Sequence, residues 1–304
     1  MKKSLHTTAI LALAGIALVA RPAFSQTLPT NIDDVVLGFQ ATSGTGATTD
    51  YEIDLGKVTQ FLSGGTYATG SGIQIVNTIG TNSSGNIAND LASIYGASWA
   101  TDSGLNYGLA GSVFNGHTAV DGLAPNTLFA SRAETIAGTQ STPWTRQSSS
   151  NQASTAQPMN GMLTGGHGYA SGNLNSPNQT LSLNSSIAVI QATSEANSWA
   201  SYMPGGFNNS VGGVAFNTFS GGIQGNLAGG TANAVVDFYE LAPGSGNATL
   251  VGAFDMTSAG QLQFSTNPAD FAASTVPEPS TYAGLLGLAT LGFVALRRRN
   301  QANA

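Results

Sequence analysis

The sequence predicts a mainly-β protein: an antiparallel β-sandwich-like ectodomain with one or two short helices, plus an N-terminal signal helix and a single C-terminal hydrophobic helix. Three observations carry this expectation. Tyr51, Ile53 and Leu55 alternate with Glu52 and Asp54, the two-residue period of a strand with one apolar face. Other short apolar runs recur at steady spacing, separated by turns drawn from 39 glycines. Only 8% of the 304 residues are charged, against about 25% in an ordinary soluble domain, which fits neither a polyelectrolyte tail nor a salt-bridge-laced cytosolic enzyme.

Taken in order, the strand candidates begin with Val35 to Phe39 and the Tyr51 to Leu55 run. They continue with Ile73 to Ile79, Leu105 to Val113, Thr127 to Ala133, Ile187 to Gln191 and Val211 to Phe219. Val235 to Leu241 is apolar on both faces, as a central strand would be. A Pro-Gly-Ser-Gly-Asn turn at 243–247, a run from Ala248 to Phe254, a second turn at 257–260 and a run from Gln261 to Ser265 complete a terminal meander. Ile87 to Tyr95 reads as a helix, because Ile87, Leu91, Ile94 and Tyr95 share one face. Ser194 to Met203 reads as another, stopped by Pro204-Gly205. Residues 138–186 hold one charge, Arg146, in a run of Ser, Asn, Gln and Gly, and read as a surface excursion pinned by Trp144, Met162, Leu163 and Tyr169.

Charge position says more than net charge. Lys2, Lys3 and Arg21 precede the body, and Arg297, Arg298 and Arg299 follow it. From Gln26 to Thr275 only Lys57, Arg132 and Arg146 are basic, against fourteen acids, so the body carries −11. Three scattered cations cannot neutralise a row of phosphates, which excludes a nucleic-acid partner. With no cysteine, disulfides, thiolate catalysis and Cys-ligated zinc are excluded together.

The ends read as addresses. Lys2 and Lys3 lead into an apolar run at 9–20 and then Pro22, with Ala23 and Ser25 placed for signal cleavage before Gln26. At the other end, Pro277, Glu278 and Pro279 stand before fifteen mostly apolar residues at 282–296 and the Arg297 to Arg299 stop. At about 1.5 Å per residue that stretch covers only some 22 Å of a roughly 30 Å hydrocarbon core, which suits a temporary hold. The expected organisation is 1–25 signal peptide, 26–275 extracytoplasmic mainly-β domain, 276–299 sorting signal and 300–304 tail.

This motif, helix and arginine cluster resemble the PEP-CTERM sorting signal of Gram-negative bacteria. The resemblance implies an exosortase-type membrane transpeptidase as partner, processing near Pro277, Glu278 and Pro279, and a host that makes exopolysaccharide and biofilm. It implies an inner-membrane-held precursor, then a cell-surface or matrix location. Asp34 to Gly56 and Val235 to Ser265 also look like segments found in ectodomains bearing this tail.

Signals for chemistry are sparse. His117 and His167 are fifty residues apart, with no metal-ligand spacing around either, and no G-x-S-x-G elbow surrounds any serine. Gly-rich spans lack a following Gly-Lys-Ser/Thr and read as turns. Glu52 and Asp54 share a strand face and are candidates for a Ca²⁺ contact or a hydrolytic pair, or else form a solvated face. Trp99 and Trp199 read as core, whereas Trp144, after Pro143 in a polar segment, is the candidate glycan platform. No catalytic residue, metal or cofactor is expected. The leading expectation is a structural or interaction protein of the envelope or matrix; the alternatives are a carbohydrate-binding module or adhesin, and a polysaccharide hydrolase.

Overall fold

A computed structural model describes residues 32–79, 84–114, 119–170, 180–181, 188–194, 198–202, 222–227 and 235–272, with side chains at 163–170, 180–181 and 201–202 left out. Its strands are β1 (Asp34–Ala41), β2 (Thr49–Lys57), β3 (Gln74–Ile75), β4 (Leu105–Ser112), β5 (Leu128–Ala133) and β6 (Thr180–Leu181), followed by β7 (Ala188–Ala192), β8 (Gly225–Asn226), β9 (Val235–Leu241), β10 (Thr249–Met256) and β11 (Leu262–Ser265). Helices are α1 (Ala88–Tyr95), α2 (Ser149–Ala170) and α3 (Trp199–Tyr202). Among the described residues these strands form one antiparallel sheet in the order β3-β11-β10-β9-β5-β4-β1-β2-β7-β6, with β8 pairing β4 off that path.

The mainly antiparallel β class holds. In place of two face-to-face sheets there is one half-barrel sheet, buried on both faces. The reason is physical: strand alternation reports that a face is covered, and a helix or strap covers it as well as a second sheet does. Val35, Leu37 and Phe39 of β1, Tyr51 and Ile53 of β2, and Tyr107 and Leu109 of β4 point to one core. α1 and the 58–79 segment close that core. Phe61 packs edge-on against Phe238, Phe254 and Phe264, at ring separations of 6.5, 5.1 and 5.2 Å. Tyr95 of α1 donates its hydroxyl to the Phe39 carbonyl at 2.9 Å, tying the helix to the sheet.

The opposite face carries Val36, Ala110, Leu128, Ala130, Tyr239 and Leu241 beneath Trp144, α2 and Trp199. In α2 Gln152, Thr155, Ala156, Met159 and Met162 are buried at helical spacing, and Pro158 is buried beside them. Residues 138–186 therefore hold a 22-residue helix where the sequence reads only as an excursion, although Trp144 and Met162 do pin it. Ser and Gly are poor helix formers and Pro158 lies inside the helix, so propensity hides what packing stabilises. Gln152 secures the first turn: its amide donates to the Leu241 carbonyl at 2.6 Å and accepts from Gln147 N–H at 3.1 Å.

β9 lies between β5 and β10, as its two apolar faces require, and β9, β10 and β11 form the expected meander. The Ile73 to Ile79 candidate shrinks to the two residues of β3 at the sheet edge. The Val211 to Phe219 candidate lies outside the described residues, as do both terminal helices.

Where β4 splays between β5 and β8, Ser131 stitches the fork. Its Oγ accepts from Leu109 N–H at 2.8 Å and donates to the Ile223 carbonyl at 2.7 Å.

Gly38 of β1 lies flat beneath the Trp199 ring, where a Cβ would overlap the indole. Because α3 is tied down by its backbone, the ring cannot lift to make room. Gly38→Ala is expected to cost about 1–3 kcal/mol through overpacking, lowering the thermal midpoint by several degrees. A melt matching the wild type would contradict this packing.

Candidate functional site

The residues singled out for export and sorting, Ala23, Ser25, Gln26, Pro277, Glu278, Pro279 and Arg297 to Arg299, lie outside the described residues, and so does His117. His167 falls in α2 without a described side chain.

Trp144 does not form an exposed platform. It is 2% exposed, its Nε1 donates to the Ser131 carbonyl at 3.1 Å, and the Arg132 guanidinium lies 4.3 Å from its ring centroid. A polar neighbourhood in sequence made it look exposed; the strap it belongs to lies on the sheet. Trp99 and Trp199 are buried, as expected.

The alternating acids of β2 are not a solvated face either. Asp50, Glu52 and Asp54 are all buried on the side of the sheet covered by α3. Glu52 accepts from Trp199 N–H at 2.6 Å and from the Gln191 side-chain amide. Asp50 accepts from Ala200 N–H at 2.7 Å. These two carboxyl groups thus satisfy the free N–H groups that open α3. Burial pushes Asp50 up to about 7, against the opposing pull of Ala200 N–H and the Ser198 hydroxyl. Burial, then the charge of Asp50, pushes Glu52 up to about 8. Asp54 is raised by burial and by Asp34 beside it on β1. The sequence pattern counts these acids as charges, but burial favours their neutral form, which costs less to take out of water. Gln191 Oε1 is buried without a donor, and a neutral carboxyl offers one that an ionised carboxyl lacks.

A second acid cluster joins Glu134, Asp237, Ser141 and Tyr239. Asp237 Oδ2 accepts from Ser141 N–H, from Ser141 Oγ at 2.7 Å and from the Tyr239 hydroxyl at 3.2 Å. Glu134 Oε2 accepts from Gly138 N–H at 2.7 Å. Burial and the neighbouring Asp237 raise Glu134. Their remaining oxygens, Glu134 Oε1 and Asp237 Oδ1, are buried without a hydrogen-bond partner. This cluster fastens the 134–141 loop to β9 and is sealed from solvent.

Glu52 and Asp54, weighed as a hydrolytic pair, share a strand face but are buried in it, and no acid of β9 joins them. Glu52 and Asp54 on β2 are four strands from Asp237 and Glu240 on β9, about 19 Å at the usual inter-strand spacing. Asp237 and Glu240 point to opposite faces of β9. Glu240 instead borders a half-open groove of about 560 Å³, lined also by Phe61, Leu62, Ser63, Thr249 and Thr266. Among the described residues no group of three or more His, Cys, Asp or Glu could hold a metal ion.

All three basic residues of the body are engaged within it. Lys57 pairs with Asp121 at 2.5 Å and lies 3.9 Å from Asp33. Arg132 covers Trp144 and donates to the Thr142 carbonyl at 2.8 Å. Arg146 lies against Gly244 and faces the charge of Glu240.

The last described element is a short 3-10 turn, Pro268–Phe271, capped by the Asn267 side chain. Phe271 packs with Val235, Ala253 and Ala137, and Ala272 lies against Gly138. Ordered packing therefore runs to within a few residues of Pro277.

A half-barrel β body followed at once by a sorting signal is what fold and sequence together define. The chain carries the PEP-CTERM protein-sorting motif, matched by its family model over residues 275–299. That motif implies export, a membrane-anchored precursor and processing by exosortase-type machinery. No curated protein and no solved structure matches the chain. Among the described residues no helix is long and apolar enough to cross a membrane.

Proposed function

We propose that this protein is a non-catalytic component of the cell envelope or extracellular matrix, with a structural or interaction role linked to exopolysaccharide or biofilm. The observation that carries the reading is the sorting motif at 275–299, which follows within a few residues a β body packed at least as far as Ala272. The interior supports it. Among the described residues, buried carboxyl groups and all three basic residues serve to hold the body together, and the exposed positions are rich in hydroxyl and amide groups that suit a hydrated polymer.

The test is fractionation of host cells with and without their exopolysaccharide. The protein is expected in the envelope and matrix fraction of the parent and in the medium of the polymer-deficient strain. The same distribution in both strains would overturn the link to the polymer.

A further inference from the structure

The place where the body ends constrains how it meets the machinery that processes it. From Ala272 to Pro277 there are five residue steps, which reach at most about 17 Å when fully extended. A small domain is about 30 Å across. A processing enzyme that holds Pro277, Glu278 and Pro279 therefore has the Ala272 end of the body within about 17 Å of it. The short connection keeps the face around Ala272 within reach of it.

That face has the chemistry of a docking surface. Its exposed residues are Thr135, Ile136, Thr139, Asn267 and Ala269. Asp270 is engaged by the Ser265 hydroxyl at 2.5 Å and the Asn267 amide at 3.2 Å. Ile136 is 65% exposed, more than any other large hydrophobic among the described residues. It lies two residues from Gly138, which touches Ala272, and one from Ala137, which packs with Phe271. A large apolar side chain standing free beside the chain's exit has no structural use in the body, and burial in a partner would stabilise the contact. The backbone beneath it is rigid, because Glu134 and Asp237 fasten the loop at 134–141.

We propose that this exit face, centred on Ile136, docks on the exported side of the exosortase-type processing enzyme and positions the motif for it. The inference rests on the sorting reading and adds to it a contact from the folded body.

The experiment follows loss of an epitope tag placed after Ala304 in the full-length precursor, in pulse-chase in the host. Ile136→Asp is expected to slow tag loss about tenfold, the scale of one buried apolar anchor. Ile75→Asp, at the exposed edge strand β3, is expected to be processed at the wild-type rate. A Gly-Ser linker of about 30 residues after Ala272, reaching about 30 Å, should abolish the difference between Ile136→Asp and wild type. The thermal midpoint of mature Ile136→Asp should match the wild type. Wild-type processing of Ile136→Asp without the linker, or a defect that persists with it, would overturn the docking face. Retention of the tag by the wild type would overturn the sorting reading and this inference with it.

Discussion

The thermal midpoint of the mature protein is expected to fall by on the order of 10 °C between about pH 5 and about pH 9, the reverse of ordinary acid denaturation. The direction follows from which state holds protons. Asp50 and Glu52 sit near 3.8 and 4.5 in the unfolded chain and are pushed up to about 7 and about 8 in the folded body. Asp255 is raised to about 6 by burial, and Asp54 and Glu134 are raised as well. Between those limits the native state binds more protons than the unfolded state. Stability is therefore full below about pH 4 for these groups and is lost as pH rises through their folded values. A tenfold difference in proton affinity between the two states corresponds to about 1.4 kcal/mol, so together these groups place several kcal/mol at stake. Glu52→Gln isolates one contributor: it keeps an acceptor for Trp199 N–H and removes the ionisation. The variant should gain stability over wild type near pH 9 and little near pH 5. A wild-type midpoint that is flat, or that rises with pH, would contradict the buried-acid description.

Trp144→Ala is expected to destabilise the protein by about 3–5 kcal/mol, the range for emptying a large buried aromatic site. At about 2–4 °C per kcal/mol for a body of this size, the midpoint should drop by on the order of 10 °C. The loss combines packing against its buried neighbours, the 3.1 Å hydrogen bond to the Ser131 carbonyl and the Arg132 stacking. Trp144→Phe keeps part of the ring and should lose less. An unchanged midpoint in Trp144→Ala would return the residue to the surface and restore it as a candidate sugar platform.

How far the sequence could be read depended on whether the signal was local. β1, β2, β4 and the β9–β11 meander announce themselves through apolar alternation and turn chemistry, and the sorting tail through motif, apolar run and arginines in order. α2 did not, because Gln152 and Thr155 occupy two of its buried positions and Pro158 lies inside it. With polar residues treated as core-capable, the spacing 152, 155, 156, 159 and 162 reveals its inner face. The acids of β2 misled for a related reason. Glu52 and Asp54 look wet until Trp199 and α3, nearly 150 residues later, are placed over that face. The Glu134–Asp237 contact, joining β9 to the loop after β5, is equally non-local, and no spacing between 134 and 237 announces it. Ile136 carried no signal at all, since its meaning depends on lying beside the chain's exit.

On this reading the body is delivered by a C-terminal sorting signal that does not survive maturation. Mass spectrometry of the C-terminus of the mature protein, isolated from host cells, tests that directly. The expected product is a chain that begins near Gln26 and lacks Arg297, Arg298 and Arg299, ending near Pro277 to Pro279. Mature protein that is intact through Ala304 would contradict it.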